Sequence, residues 1–138
     1  MYLPTIDLAL MVDSIPFLLS GLGYTLGISL TAFVFGNILG VLLTVLGFVP
    51  LRAVKLFVRL YLSFLRGTPA LVLLFLLYFG LPYQLNAVVA AIICFSLTSS
   101  AFIGEIYRGS IAGVNAGQWD AAYALGNRFF PTMRYIIL

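Results

Sequence analysis

The chain has no histidine and a single cysteine, Cys94, in its 138 residues. The first absence removes the commonest general base and metal ligand. The second excludes an intramolecular disulfide. Charge is also scarce: Asp, Glu, Lys and Arg make up 8% of the chain, against about 25% in an ordinary soluble domain. No Lys or Arg precedes Arg52, so the basic n-region of a secretory signal is lacking and the first apolar stretch is expected to stay in the protein. There is no G-x-x-x-x-G-K phosphate loop, no cluster of metal ligands and no nucleophile beside a base. The sequence therefore offers no catalytic residue, no metal and no cofactor, and any energy source must lie in another chain. The net charge of +3 does not signal a nucleic-acid partner. In so apolar a chain the cations read as topology signals.

Apolar residues account for 63% of the chain, and mean hydropathy is +1.16. Two stretches carry no charge, 14–51 and 67–104. A membrane-crossing helix needs about 20 apolar residues, so punctuation decides how many spans each stretch holds. Pro16, Gly21 and Pro50 bracket one span at about 23–49, with Asp7, Asp13 and Pro16 in an N-terminal segment at the membrane surface. Gly80-Leu81-Pro82 is a strong turn signal. It splits the second stretch into spans at about 55–79 and 85–107. Arg52, Lys55 and Arg59 fall between spans one and two, none between two and three, and Arg108, Arg128 and Arg134 follow span three. By the positive-inside rule the N-terminus is expected outside, with the first loop and the C-terminal segment in the cytoplasm. A hairpin at Gly36-Asn37 is the alternative, and it would put a cation-free N-terminus inside. The expected architecture is an all-α membrane protein of three transmembrane helices followed by a cytoplasmic segment, 110–138. That segment reads as an amphipathic helix over 114–125, a stop at Gly126 and a second helix opened by Pro131.

Few residues are candidates for function. Arg66, thirteen positions before Phe79, would sit roughly 10 Å inside a straight span. Either it snorkels to the interface, or it braces the bundle or borders a pathway. Pro69 deprives the Leu65 carbonyl of its donor, and Thr68 or Arg66 are the nearby replacements. The result is either a packing kink or a broken helix of the kind that marks transport sites. Ser96, Ser99 and Ser100 share a face of span three, where they either bond their own helix carbonyls or line a polar pathway. Glu105 and Arg108, at i,i+3, read first as an interfacial ion pair. Gly36 with Gly40, and Gly23 with Gly27, are small-xxx-small pairs that let helix backbones approach.

Three segments together resemble one family. Phe64-Leu-Arg66-Gly-Thr-Pro69 followed by Leu-Leu-Tyr-Phe-Gly80-Leu-Pro82 resembles the second span of polar amino acid ATP-binding-cassette (ABC) permeases. Ala101-Phe-Ile-Gly-Glu105-Ile-Tyr-Arg108-Gly109 resembles the end of their third span. Gly117-Gln118-Trp119-Asp120-Ala121-Ala122-Tyr-Ala-Leu125-Gly126, continuing to Arg134-Tyr-Ile-Ile-Leu138, resembles their cytoplasmic EAA loop. The resemblance runs from about Leu18 onward. It implies an inner-membrane permease subunit of a bacterial importer that moves a polar amino acid by alternating access. It also implies three partners: an ABC ATPase dimer, a second permease subunit, and an extracytoplasmic solute-binding protein.

The first EAA helix would be the coupling helix that docks on the ATPase. Gln118, Trp119, Asp120, Ala121, Ala122, Leu125 and Gly126 would form the contact: Asp120 at the positive helix end, Ala121 and Ala122 as a small face entering a groove, and Trp119 and Leu125 as anchors. Taken alone, the loop also reads as an amphipathic helix on the membrane surface. Asp120 replaces the usual Glu, and Gly104 and Ser110 stand where Ala and Gly are common. The family continues past the loop with a Leu-Pro step and further spans, whereas this sequence stops at Leu138, so it is expected to be truncated after the loop. The rival functions are a non-transporting fragment or small membrane assembly protein, and a small channel or secondary carrier.

Overall fold

The computed structural model describes residues 8–137, and among them every regular element is helical. Asp7, expected in the N-terminal segment, and Leu138, expected at the end of the loop, lie outside these residues. Helix α1 (Leu8–Ser20) includes Pro16 and buries no residue. Gly21 separates it from α2 (Leu22–Phe48). At 1.5 Å per residue α2 is about 40 Å long, enough to cross a hydrocarbon core of about 30 Å. It is apolar all round and largely exposed, the pattern of a helix whose solvent is lipid. It stops where Val49 turns extended ahead of Pro50.

The stretch expected as one span over 55–79 is two helices. Helix α3 (Arg52–Gly67) and helix α4 (Ala70–Phe79) meet at Thr68–Pro69 and are bent by 100°. The pair is a broken helix, not one kinked rod. Helix α5 (Ala87–Ala112) begins near the expected place, capped by Asn86, whose side chain accepts from Val88 N at 2.9 Å. It runs five residues past the expected end at 107.

Helix α5 is the centre of the bundle and packs on α2, α3 and α4. The longest contact is with α2, and small residues make it possible. A Cβ added at Gly36 would stand 2.7 Å from Ser99 Cβ, and one at Gly40 would stand 2.8 Å from Ile103 Cγ2. Both distances are below van der Waals contact, so the two backbones can lie this close only with glycine there. Gly104 answers from α5, its own added Cβ falling 3.3 Å from the Gly40 carbonyl. Gly36 and Gly40 therefore act as the packing pair expected of them. A Cβ added at Gly23 or Gly27 would meet nothing within 4 Å, so neither is a close-packing position here.

Polar side chains tie this seam at two further places. Thr44 Oγ1 donates within α2 to the Gly40 carbonyl at 2.8 Å and lies 3.2 Å from the Gly104 carbonyl of α5. The Tyr107 hydroxyl donates to Asn37 Oδ1 at 3.2 Å. The apolar core runs from α2 across α3, α4 and α5, where Leu43, Val58, Leu62, Leu65, Leu73, Cys94 and Ala101 are buried together. Beyond α5 lie α6 (Ala116–Ala124), α7 (Phe129–Thr132) and a π-helical turn, Met133–Ile137.

Candidate functional site

The break between α3 and α4 is built by local chemistry. Thr68 and Pro69 are both extended, with ψ of 126° and 131°, as expected for a proline and the residue before it. The Thr68 hydroxyl donates to the Phe64 carbonyl at 2.7 Å. Thr68 therefore supplies a donor at the break, but to Phe64 and not to the Leu65 carbonyl. Pro69 opens α4 by accepting from Val72 N and Leu73 N through its own carbonyl. Cys94 of α5 faces the same place, its Sγ 3.3 Å from the Ala70 carbonyl.

One turn earlier, Arg66 reaches across to α5, with Nη1 3.5 Å from Glu105 Oε2. Glu105 also accepts from Arg108, whose Nε lies 3.2 Å from the same oxygen while Nη2 bonds the other. The expected Glu105–Arg108 pair is thus half of a two-cation bridge, and Arg66 braces α3 against α5. The expected depth of Arg66 summed the rise of one straight helix, and a 100° bend removes the basis for that sum. Arg66 is 42% exposed.

Ser96, Ser99 and Ser100 of α5 sit at helix contacts. Ser100 is fully buried and bonds both the Leu97 carbonyl, at 2.7 Å, and the hydroxyl of Tyr61 on α3, at 2.8 Å. Ser99 meets Gly36. Ser96 Oγ is buried without a hydrogen-bond partner among the described residues, and nothing in the structure explains it. Bonding to the i−4 carbonyl is seen instead at Thr98, to Cys94 at 2.9 Å.

The C-terminal loop turns at Gly126, the one positive-φ residue among those described, at φ 80°. Gly126 N donates to the Tyr123 carbonyl at 2.9 Å and Asn127 N to the Ala122 carbonyl at 3.1 Å. This is the Schellman pattern, and it puts the left-handed stop where it was expected. The start of α6 differs from expectation. Asn115 caps it, accepting from Gly117 N at 2.8 Å, and Asp120 is the fifth residue of the helix, past the first turn where the dipole is felt.

The expected docking face also divides. Gln118, Asp120, Ala121, Leu125 and Gly126 are exposed, Leu125 at 82%. Ala122 is 1% exposed, so of the two alanines only Ala121 is at the surface. Trp119 is half-buried. It stacks on Phe129 with ring centroids 6.2 Å apart, and Phe129 meets Phe48 edge-on at 6.4 Å. Three rings therefore join α6 through α7 to the end of α2. Phe129, Phe48, Tyr61, Asn37 and Asn115 were all missed from sequence. Only Asn115, a capping type just ahead of a helical pattern, carried a signal that could have found it.

Residues 36–138 match the family described as binding-protein-dependent transport system inner membrane component. The chain belongs to this family. It is similar to the probable amino-acid ABC transporter permease protein YckA of Bacillus subtilis, at 45% identity over 94% of the chain and 58% of the relative. Similarity extends to the arginine transport system permease protein ArtQ of the same organism, at 35% over 96% and 63%. The putative glutamine transport system permease protein GlnP of Rickettsia felis matches at 39% over 88% and 58%. Among solved structures, a crystal structure titled as an amino acid ABC transporter with histidines superposes with a TM-score of 0.89. It is 34% identical, over 97% of this chain and 64% of that one. The chain thus spans less than two thirds of the length of each of these relatives. Its all-helical fold is that of the solved amino acid ABC transporter chain.

Proposed function

We propose that the chain forms the front part of a permease subunit that moves a polar amino acid inward by alternating access, driven by a separate ABC ATPase dimer. A second permease subunit completes the pathway, and an extracytoplasmic solute-binding protein delivers the amino acid. The N-terminus lies outside and 110–138 lies in the cytoplasm, in keeping with the cations at Arg52, Lys55, Arg59, Arg108, Arg128 and Arg134. The supporting relatives are proteins named for amino-acid, arginine and glutamine transport.

The observation that carries the coupling role is the ring contact from Trp119 through Phe129 to Phe48. A helix that docks on a moving ATPase needs a stiff connection to the membrane helices. Stacked aromatic rings beside a hydrogen-bonded glycine turn supply one. The exposed face of α6, with Gln118, Asp120, Ala121 and Leu125, is then the ATPase contact.

Co-expression with the cognate ATPase tests this reading. The wild-type chain should retain the ATPase through affinity purification. Ala121→Trp, which fills the small exposed position, should release it without loss of helix content. Retention of the ATPase by Ala121→Trp at the wild-type level would remove α6 from the interface.

A further inference from the structure

Where α3 meets α5, the structure holds a cavity of about 360 Å³ that the coupling role does not use. Lys55, Arg59 and Arg66 of α3 and Arg108 of α5 line it, with Glu105 as its one carboxylate. We propose that this pocket binds the phosphate of an anionic phospholipid headgroup.

The charge balance comes first. Glu105 is already engaged by Arg66 and Arg108. Lys55 and Arg59 have no ion-pair partner among the described residues, although they stand one helical turn apart and open into the same concavity. Two like charges held side by side repel, and an oxyanion between them reverses the sign of that interaction. A phosphate suits the donors, because a guanidinium fork and an ammonium together satisfy several oxygens at once. The volume lies at the small end of the range for ligand pockets, about 300–1,000 Å³, enough for a headgroup with some water.

The lipid source follows from the rest of α3. Lys55, Arg59 and Arg66 fall on one stripe of the helix by their spacing. Val58, Leu62 and Leu65 form the neighbouring buried stripe. Leu56, Phe57, Leu60 and Phe64 form an exposed apolar stripe on the other side of the cations. A molecule that presents a phosphate to the pocket and hydrocarbon to Leu56 and Leu60 matches both surfaces, whereas a free anion matches only the first. Basic pockets between membrane helices are known to take anionic headgroups by this combination.

The test uses the purified chain in non-ionic detergent, titrated with phosphatidylglycerol, phosphatidylcholine or inorganic phosphate and read by native mass spectrometry. The wild type should hold phosphatidylglycerol about tenfold or more tightly than phosphatidylcholine. The Lys55→Gln/Arg59→Gln double variant should lose most of that preference, with its helix content unchanged by circular dichroism. Arg52→Gln removes a cation from the same helix outside the pocket and should keep the preference to within about twofold. Equal loss in Arg52→Gln would overturn the pocket in favour of diffuse surface charge. Inorganic phosphate binding as tightly as phosphatidylglycerol would overturn the lipid assignment.

Discussion

The two faces of α5 are held in opposite ways. Toward α2 the contact is made by what is missing: Gly36, Gly40 and Gly104 remove side chains until backbone meets side chain at distances no larger residue permits. Toward α3 and α4 the contact is made by what is added: an apolar core, the Tyr61–Ser100 hydrogen bond, and a carboxylate shared by two arginines. The first kind of contact is set by shape and has one good geometry. The second relies on long side chains that follow one another through small displacements, and it flanks a helix already broken at Pro69. The α2–α5 seam is thus held by shape, and the contact with α3 and α4 by side chains.

The largest effect should come from filling the glycine seam. Gly40→Leu forces the helices apart at the Gly104 backbone and should cost about 1–3 kcal/mol or more. Denaturant titration of the detergent-solubilised protein would read this, and an unchanged midpoint would contradict the close approach. Next is Gly126→Val, which puts a β-branched residue at φ 80° at a cost of roughly 1–2 kcal/mol. Because that strain falls in the loop, α2–α5 packing should survive while ATPase retention is lost. A variant that retains the ATPase fully would separate the turn from coupling.

Phe129→Ala opens the ring contact between α6 and α2, at about 0.5–1.5 kcal/mol. If the rings transmit motion, the permease–ATPase assembly should still form, but its ATP hydrolysis should no longer respond to substrate delivery. An unaltered response would mean that α6 acts through some other contact. The smallest effect belongs to Glu105→Gln, which frees Arg66 and Arg108 at a part-exposed bridge and should change stability by less than about 1 kcal/mol. A loss as large as that of Gly40→Leu would make the α3 face as rigid as the α2 face and end the contrast.

Much of this was legible in one dimension. Long charge-free runs announced α2 and α5, since only lipid or a protein interior tolerates them. Proline and the preceding threonine announced trouble at position 69, and a glycine after an amphipathic stretch announced the turn at 126. All of these are local: they follow from sterics and solvation within a few residues. The failures were of another kind. The size of the bend at Pro69 was not legible, because a proline permits a break but neighbouring helices choose its angle. The Arg66–Glu105 bridge joins residues 39 positions apart, and no spacing rule spans that interval. Ala122 looked interchangeable with Ala121, yet one is buried and the other is not, because burial depends on what the rest of the fold brings against α6.

The sequence by itself determined the solvent, the rough placement of α2 and α5, the left-handed stop at Gly126 and the family resemblance. Each rests on composition or on short-range backbone preference. Only the tertiary structure decided which small residues are a seam and which are bare, as Gly36 and Gly40 differ from Gly23 and Gly27. It also decided which charges are matched and which are left over, as Arg66 and Arg108 differ from Lys55 and Arg59. Both distinctions depend on what a second helix brings to within a few ångströms, and chain order alone does not encode that proximity.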